Sequence, residues 1–351
     1  MKKIILGITL LVVSFTNAQS TLIVDNNAFI DDTPSHVYTT FTAAIGGASN
    51  GDIILIQPSA TSYGNITINK SVTVLGMGYA PELNNGETSQ TGNITVSASD
   101  VKIAGINVNG WISSGNSTTD LLVEDCWIAA GAYANGTGIA DITYRGNVIR
   151  NLIYLNATPT NSLNITITNN LIQNLGSSAL QYFNDTTIFN NNVVISDQTH
   201  YQWFIFLSPN NFIAQNNIWL FTANNQAIVD QSGGNPIIHN NSLTYHYGTP
   251  TVTDLNGTGN LDNQNPFFVN IPANNPYWAA DNDYNLGVSS AGNDAGTDGN
   301  DVGIYNGYYD FDMRGYPTEL PYLTEMSIIN NMVPAGSNLN VNLKANANKT
   351  N

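Results

Sequence analysis

The segment from Ile165 to Asn174, ITITNNLIQN, is a short alternating strand, a pair of asparagines and the start of a second strand. The same pattern returns as TIFNNNVV from Thr187, FIAQNNIW from Phe212 and PIIHNNSL from Pro236. More divergent copies precede it: VTVLGMGY from Val72, VKIAGINV from Val101, LLVEDCWI from Leu121 and ITYRGNVI from Ile142. In register, the sixth positions are Met77, Ile106, Cys126, Asn147, Asn170, Asn192, Asn217 and Asn241, separated by 29, 20, 21, 23, 22, 25 and 24 residues. A helical repeat needs roughly ten residues of 3.6-periodic pattern in every unit, and no unit supplies them. Two or three short strands parted by Gly, Asn or Asp instead make one rung of a solenoid, in which each strand bonds to its equivalents about 4.8 Å above and below. The expected fold is therefore all-β, a single-stranded right-handed parallel β-helix.

That architecture stacks like residues inside the coil. Ile165 and Ile167 are expected inward between Ile142 and Ile188, with Ile128, Ile149, Ile172, Val194, Trp219 and Leu243 as the next apolar column. The asparagines Asn147, Asn170, Asn192, Asn217 and Asn241 are expected to form one internal file. A carboxamide both donates and accepts, so stacked amides can satisfy the backbone groups of a turn and one another. Cys126 shares this file and reads as a small buried side chain; as the one cysteine, it forms no intrachain disulfide.

The start of the coil is also legible. In YTTFTAAIGGASNGDIILIQPSA, Thr40 is a candidate helix cap, Phe41, Ala44 and Ile45 give an apolar face, and Gly46-Gly47 ends the helix. Such a helix would cover the first rung and block edge pairing there. Before it, MKKIILGITLLVVSFTNAQS has two lysines, an apolar run and a small polar segment, the order of a secretory signal peptide ending at Ala18. The apolar run is shorter than the roughly 20 residues of a membrane span. The expected organisation is a signal peptide at 1–18, a capped β-helix with its closing segment at 19–310, and a C-terminal β extension at 311–351.

With YTTFTAAIGGASNGDIILIQPSATSYGNITINKSVTVLGMG in view, residues 36 to 310 resemble the secreted right-handed parallel β-helix proteins of the pectate-lyase-like superfamily. The leader and the 54 asparagines resemble exported proteins of Bacteroidetes. The resemblance implies the fold; the superfamily spans lyases, hydrolases, esterases, epimerases, adhesins and proteins without known activity. The closing region carries a similar likeness, with Asp283, Tyr284 and Leu286 followed by Asp301 and Gly303 as a finishing strand and turn. Within it, Asp281, Asp283, Asp294, Asp298 and Asp301 offer hard oxygen ligands for calcium, though not at EF-hand spacing.

Charge restricts the partners. The chain has 25 acidic and 9 basic residues, a formal charge of −16, which disfavours nucleic acid. A lyase or glycoside hydrolase acting on polysaccharide would need acids and a base on neighbouring rungs. Lys102, Arg145, Arg150, Asp120, Glu124, Asp125 and Asp141 lie in suitable turns, and Arg145 shares a register with Glu124. His200, His239 and His246 show no metal-binding spacing. Aromatic residues are the better clue to a ligand. Tyr201, Trp203, Tyr245 and Tyr247 would stack on sugar rings if they emerged together on one long face. The leading expectation is an exported protein that binds or processes an extracellular polysaccharide; the alternatives are a polysaccharide-degrading enzyme and an adhesin or structural surface protein.

Overall fold

The computed structural model describes residues 19–83, 86–155, 162–174, 180–196, 202–204, 212–222, 227–230, 237–249, 251–272, 275–307, 309–328, 332–333 and 336–347. The chain winds as a parallel β-helix. One turn is Val101–Ala104, Asn107–Val108 and Trp111–Ser114; the next is Thr119–Glu124, Trp127–Ile128 and Gly131–Ala134. Each strand pairs in parallel with its equivalents: Leu121 with Val101 and Ile142, Trp127 with Asn107 and Val148, Ala132 with Ile112 and Ile153. In the order the chain visits them, the turns build sheets of twelve, eight and six strands among the described residues. No helix there is long and apolar enough to cross a membrane.

Alternation along each strand sets the interior. Ile103, Val123, Tyr144, Ile167, Phe189 and Ala214 occupy one inward column of the twelve-stranded sheet, and all are fully buried. Ile165 and Ile167 are inward, as expected, over Ile142 and Tyr144. Ile188 is not: it faces outward at 46% exposure, and Phe189 takes the inward place over Ile167.

The paired amides divide into two files. In each pair the first residue has a left-handed backbone, with φ of 55° at Asn169, 55° at Asn191 and 58° at Asn216. The second points inward. Asn147, Asn170 and Asn192 each donate their backbone N–H to the Oδ1 of the next amide, Asn170, Asn192 and Asn217, at 3.0, 3.0 and 2.9 Å. Cys126 begins the file, its N–H donating to Asn147 Oδ1 at 3.0 Å. The place expected for Asn241 belongs to Ser242, whose Oγ accepts from the N–H of Asn217, and Asn260 Oδ1 accepts in turn from the Ser242 N–H. Asn241 falls instead in the left-handed file, at φ 50°. The pairing of Ile213 with Ile238 and Gln215 with Asn240 sets this one-residue difference. It turns Ile237 and His239 inward, and it places Thr244 over Trp219 while Leu243 faces outward over Ile218.

Helix α1, Phe41–Gly47, caps the first turns with Phe41, Ala44 and Ile45 buried. The Thr40 side chain accepts from Ala43 N–H at 3.2 Å. At its other end the Lys70 amine donates to the carbonyls of Gly46 and Ala48.

A second core lies outside the coil. Val148, Leu171, Val193, Ile218 and Leu243, on the outer face of the eight-stranded sheet, pack beneath Tyr284, Val302, Ile304 and Phe311 of the closing segment. That segment returns along the left-handed file from the late turns to the early ones. Asn241 Nδ2 donates to Ala295 O, Asn216 bonds Thr297, and Asn169 Nδ2 donates to the carbonyls of Ile304 and Asn306. Further back, Tyr309 donates its hydroxyl to Asp125, the acid that holds this place in its turn. Gly146 makes room for that ring, because a Cβ there would lie 2.4 Å from Tyr309 Cε1. The inward amides thus tie the coil along its axis, and Asn169, Asn216 and Asn241 of the other file tie the closing segment to its side. The chain ends in an exposed antiparallel hairpin, Pro321–Ile328 with Val341–Ala347.

Candidate functional site

The six-stranded sheet carries an aromatic file on its outer face. Its strands WISS, GAYA and IY alternate, so Ile112, Ala132 and Ile153 fill the coil while Trp111, Tyr133 and Tyr154 face out. Tyr133 and Tyr154 are register partners, with ring centroids 6.2 Å apart and planes at 34°. The register partner of Trp111 is Gly131, so its ring meets Tyr133 diagonally at 6.2 Å and 73°. Gly131 is required by its backbone: φ is 116°, and a Cβ would stand 2.4 Å from the Leu152 carbonyl oxygen. Tyr182 completes the file. It follows the strand Leu180–Gln181 at φ 59°, bringing its ring within 5.0 Å of Tyr154, while Phe183 turns fully inside. Four half-buried rings thus span three rung steps, about 14 Å. Beside them the Ser113 hydroxyl donates to Asn135 Oδ1 at 3.1 Å.

The sequence singles out four other aromatic residues. Tyr201 is outside the described residues, and Trp203 belongs to the strand Gln202–Phe204. Tyr245 and Tyr247 are brought together, with centroids 5.1 Å apart, but partly buried against the second core. Asn265 Nδ2 donates to the Tyr245 hydroxyl, and burial raises the pKa of Tyr247. The outer file does leave a sequence signal that alternation alone overlooks. Trp111, Tyr133, Tyr154 and Tyr182 recur at 22, 21 and 28 residues, the spacing of the turns themselves.

Three of the five candidate calcium ligands are used by their own turns. Asp283 Oδ1 accepts from the backbone and side chain of Asn285, Asp298 accepts from both groups of Asn300, and Asp301 Oδ1 accepts from Asp294 N–H. Asp281 is exposed, and its carbonyl accepts from Asn270 Nδ2. Among the described residues no three His, Cys, Asp or Glu side chains are grouped to hold a metal ion.

The charged residues of the coil separate into two sets. Asp120 and Asp141 are exposed at left-handed corners, φ 55° each, before their strands settle into register. Glu124 is 1% exposed by its side chain, and it forms ion pairs with Lys102 and with Arg145, the latter at 2.7 Å. Lys102 also pairs with Glu319, and Arg145 lies over the Tyr309 ring, 4.6 Å from its centroid. Next to them Asp125 is buried, with Oδ2 bonded by Tyr309 and no protein donor at Oδ1. Burial raises its pKa well above the usual carboxylate range, and nearby Glu124 adds to this. This cluster fastens the closing segment to the coil.

A wider groove, of about 810 Å³, lies on the outer face of the twelve-stranded sheet. Ile188, Ile213 and Ile238 form its apolar floor, with Asn190 and Gln215 along one edge and Arg145 at one end. The Gln215 backbone N–H donates to Asn190 Oδ1 at 3.1 Å, so the carboxamide oxygen of Asn190 is occupied along the axis.

No family model matches this chain, and no curated protein is similar to it. The aromatic file, the groove and the closing cluster therefore have to be weighed on their own chemistry.

Proposed function

We propose that the protein is an exported carbohydrate-recognition β-helix, and that the outer face of its six-stranded sheet lays aromatic rings against the sugars of an extended glycan. The observation that carries this reading is the file Trp111, Tyr133, Tyr154 and Tyr182, four rings at one-turn intervals on one face. A sugar ring has an apolar face of C–H groups and an edge of hydroxyls. Half-exposed rings meet the first, and Ser113, Asn135 and Gln181 nearby suit the second. The secretory character of residues 1–18 and the likeness to the pectate-lyase-like superfamily both support an extracellular role in polysaccharide binding.

Recognition is favoured over catalysis by where the charged groups sit. The best-placed carboxylate for chemistry, Glu124, is on a different sheet and already neutralised by two cations. General acid–base work needs a carboxyl group within hydrogen-bond reach of the scissile bond, and the aromatic file carries none among the described residues.

Affinity electrophoresis in gels containing soluble polysaccharides tests the proposal. Trp111→Ala, Tyr133→Ala and Tyr154→Ala should each weaken retention roughly tenfold, the equivalent of ~1.4 kcal/mol per lost stacking contact. Retention unchanged in all three variants would remove the site.

A further inference from the structure

Resting on the recognition reading just given, we infer that the ligand of the aromatic file is an uncharged glycan and not a polyuronate. The cations of the described residues all lie away from the file. Beyond the leader the sequence holds seven basic side chains: Lys70, Lys102, Arg145, Arg150, Arg314, Lys344 and Lys349. Six are in the described residues, and each has its own partner away from the file. Lys70 donates to two carbonyls at the end of helix α1. Lys102 and Arg145 share Glu124 on the twelve-stranded sheet. Arg150 lies over the Trp127 ring on the eight-stranded sheet, 5.7 Å from its centroid. Arg314 binds Asp312, and Lys344 binds Glu325 in the terminal hairpin.

A polyuronate brings one carboxylate with every sugar. Over the three rung steps of the file, several such charges would lie against a face made of aromatic rings, hydroxyls and carboxamides. They would be partly desolvated there without a cation to meet them, in the field of a chain of formal charge −16. A bridging divalent cation would need carboxylates of the protein beside the rings. The residues of these strands that face out are Trp111, Ser113, Tyr133, Tyr154 and Gln181, all neutral. An uncharged sugar avoids the desolvation cost and still offers its C–H face and hydroxyls. Neutrality of the face therefore acts as a filter on the substrate class: stacking admits any pyranose chain, and charge rejects the acidic ones.

The test uses the full chain in affinity gels containing soluble xylan, glucomannan, mixed-linkage β-glucan, polygalacturonate or alginate. Runs at low and at roughly 0.5 M NaCl, with calcium or with a chelator, separate charge effects from stacking. The expected result is retention by at least one neutral polymer, unchanged within twofold by salt, calcium or chelator, and lost in the Trp111→Ala/Tyr133→Ala double variant. Polyuronates should give none. Retention by polygalacturonate or alginate that the double variant abolishes would overturn the neutral-ligand inference and leave the recognition site standing. Retention by a neutral polymer that survives the double variant would refute the site itself, and no retention by any polymer would remove both.

Discussion

Asn170 meets one atom of the next turn twice: its backbone N–H and its Nδ2 lie 3.0 and 3.1 Å from Asn192 Oδ1. Asn192 in turn donates its Nδ2 to the Ile167 carbonyl, at 3.0 Å, and to Asn217 Oδ1. Removing this side chain strands the Asn170 N–H and takes a donor from the Ile167 carbonyl, both buried, while Asn170 Nδ2 keeps the carbonyls of Tyr144 and Thr168. Asn192→Ala should therefore cost about 2–4 kcal/mol. Asn241→Gly, in the outer file, keeps the left-handed backbone and loses one bond to Ala295, so it should cost under about 1 kcal/mol. Urea midpoints of the two variants check this. Equal losses would mean that the inward file has no special part in stability.

Asp125 stands where later turns have asparagine, and its carboxyl is the one acid of the left-handed file. Its folded pKa is raised, by burial first and by Glu124 as a lesser cause. The folded protein therefore holds a proton that the unfolded chain releases above about pH 3.8. Stability from this group is full below that pH and declines as pH rises toward the folded pKa, by up to ~1.4 kcal/mol per unit. Asp125→Asn keeps a neutral group for the Tyr309 hydroxyl. The variant should gain on the parent protein progressively as pH rises above about 4, measured as the difference in denaturation free energy. A constant difference across that range would show that Asp125 is not held protonated.

His239 is the opposite case. It lies inside the coil beside Trp219, with ring centroids 5.6 Å apart, and neither nitrogen meets a protein partner. Burial lowers its pKa to about 3 from the usual 6.5. The unfolded chain takes up a proton below pH 6.5 that the folded protein refuses, so stability is lost as pH falls from 6.5 toward 3, again by up to ~1.4 kcal/mol per unit. His239→Leu should leave stability at pH 8 within about 1.5 kcal/mol and remove the acid loss between pH 6.5 and 4. Parallel pH titrations of the thermal midpoint decide it, and identical slopes in both proteins would exclude His239 as the cause.

The interior of the coil is legible in the sequence because alternation and period act on every turn alike. Ile103, Val123, Ile167 and the amides from Asn147 to Asn217 follow from those two regularities. The register slips only at PIIHNNSL, where a run of apolar residues before the amides fits two alternations, and the structure buries Ile237 and His239 in preference to Ile238. The second core is hidden for a different reason. Val148, Leu171, Val193 and Ile218 sit next to inward residues, giving the continuous apolar pairs VI, LI, VV and IW, the mark of strands covered on both faces. Their cover, Tyr284 to Phe311, is far away in the chain, and no local pattern links the two. The aromatic file escapes because its rings stand on, or for Tyr182 just after, strands of two to four residues, too short for alternation to be read.

Tyr182 joins backbone strain to the proposed site. A tyrosine at φ 59° costs about 1–2 kcal/mol relative to an ordinary backbone, and that cost is retained at a position whose ring extends the file past Tyr154. Two substitutions separate the backbone from the ring. Tyr182→Ala removes the ring and keeps a Cβ in the left-handed region, whereas Tyr182→Gly removes both. The glycine variant should be the more stable by about 1 kcal/mol in thermal or urea unfolding. Retention in the polysaccharide gels should fall equally in the two, since both lack the stacking surface. Equal stabilities would deny the strain, and retention matching the parent protein in both would confine the binding surface to Trp111, Tyr133 and Tyr154.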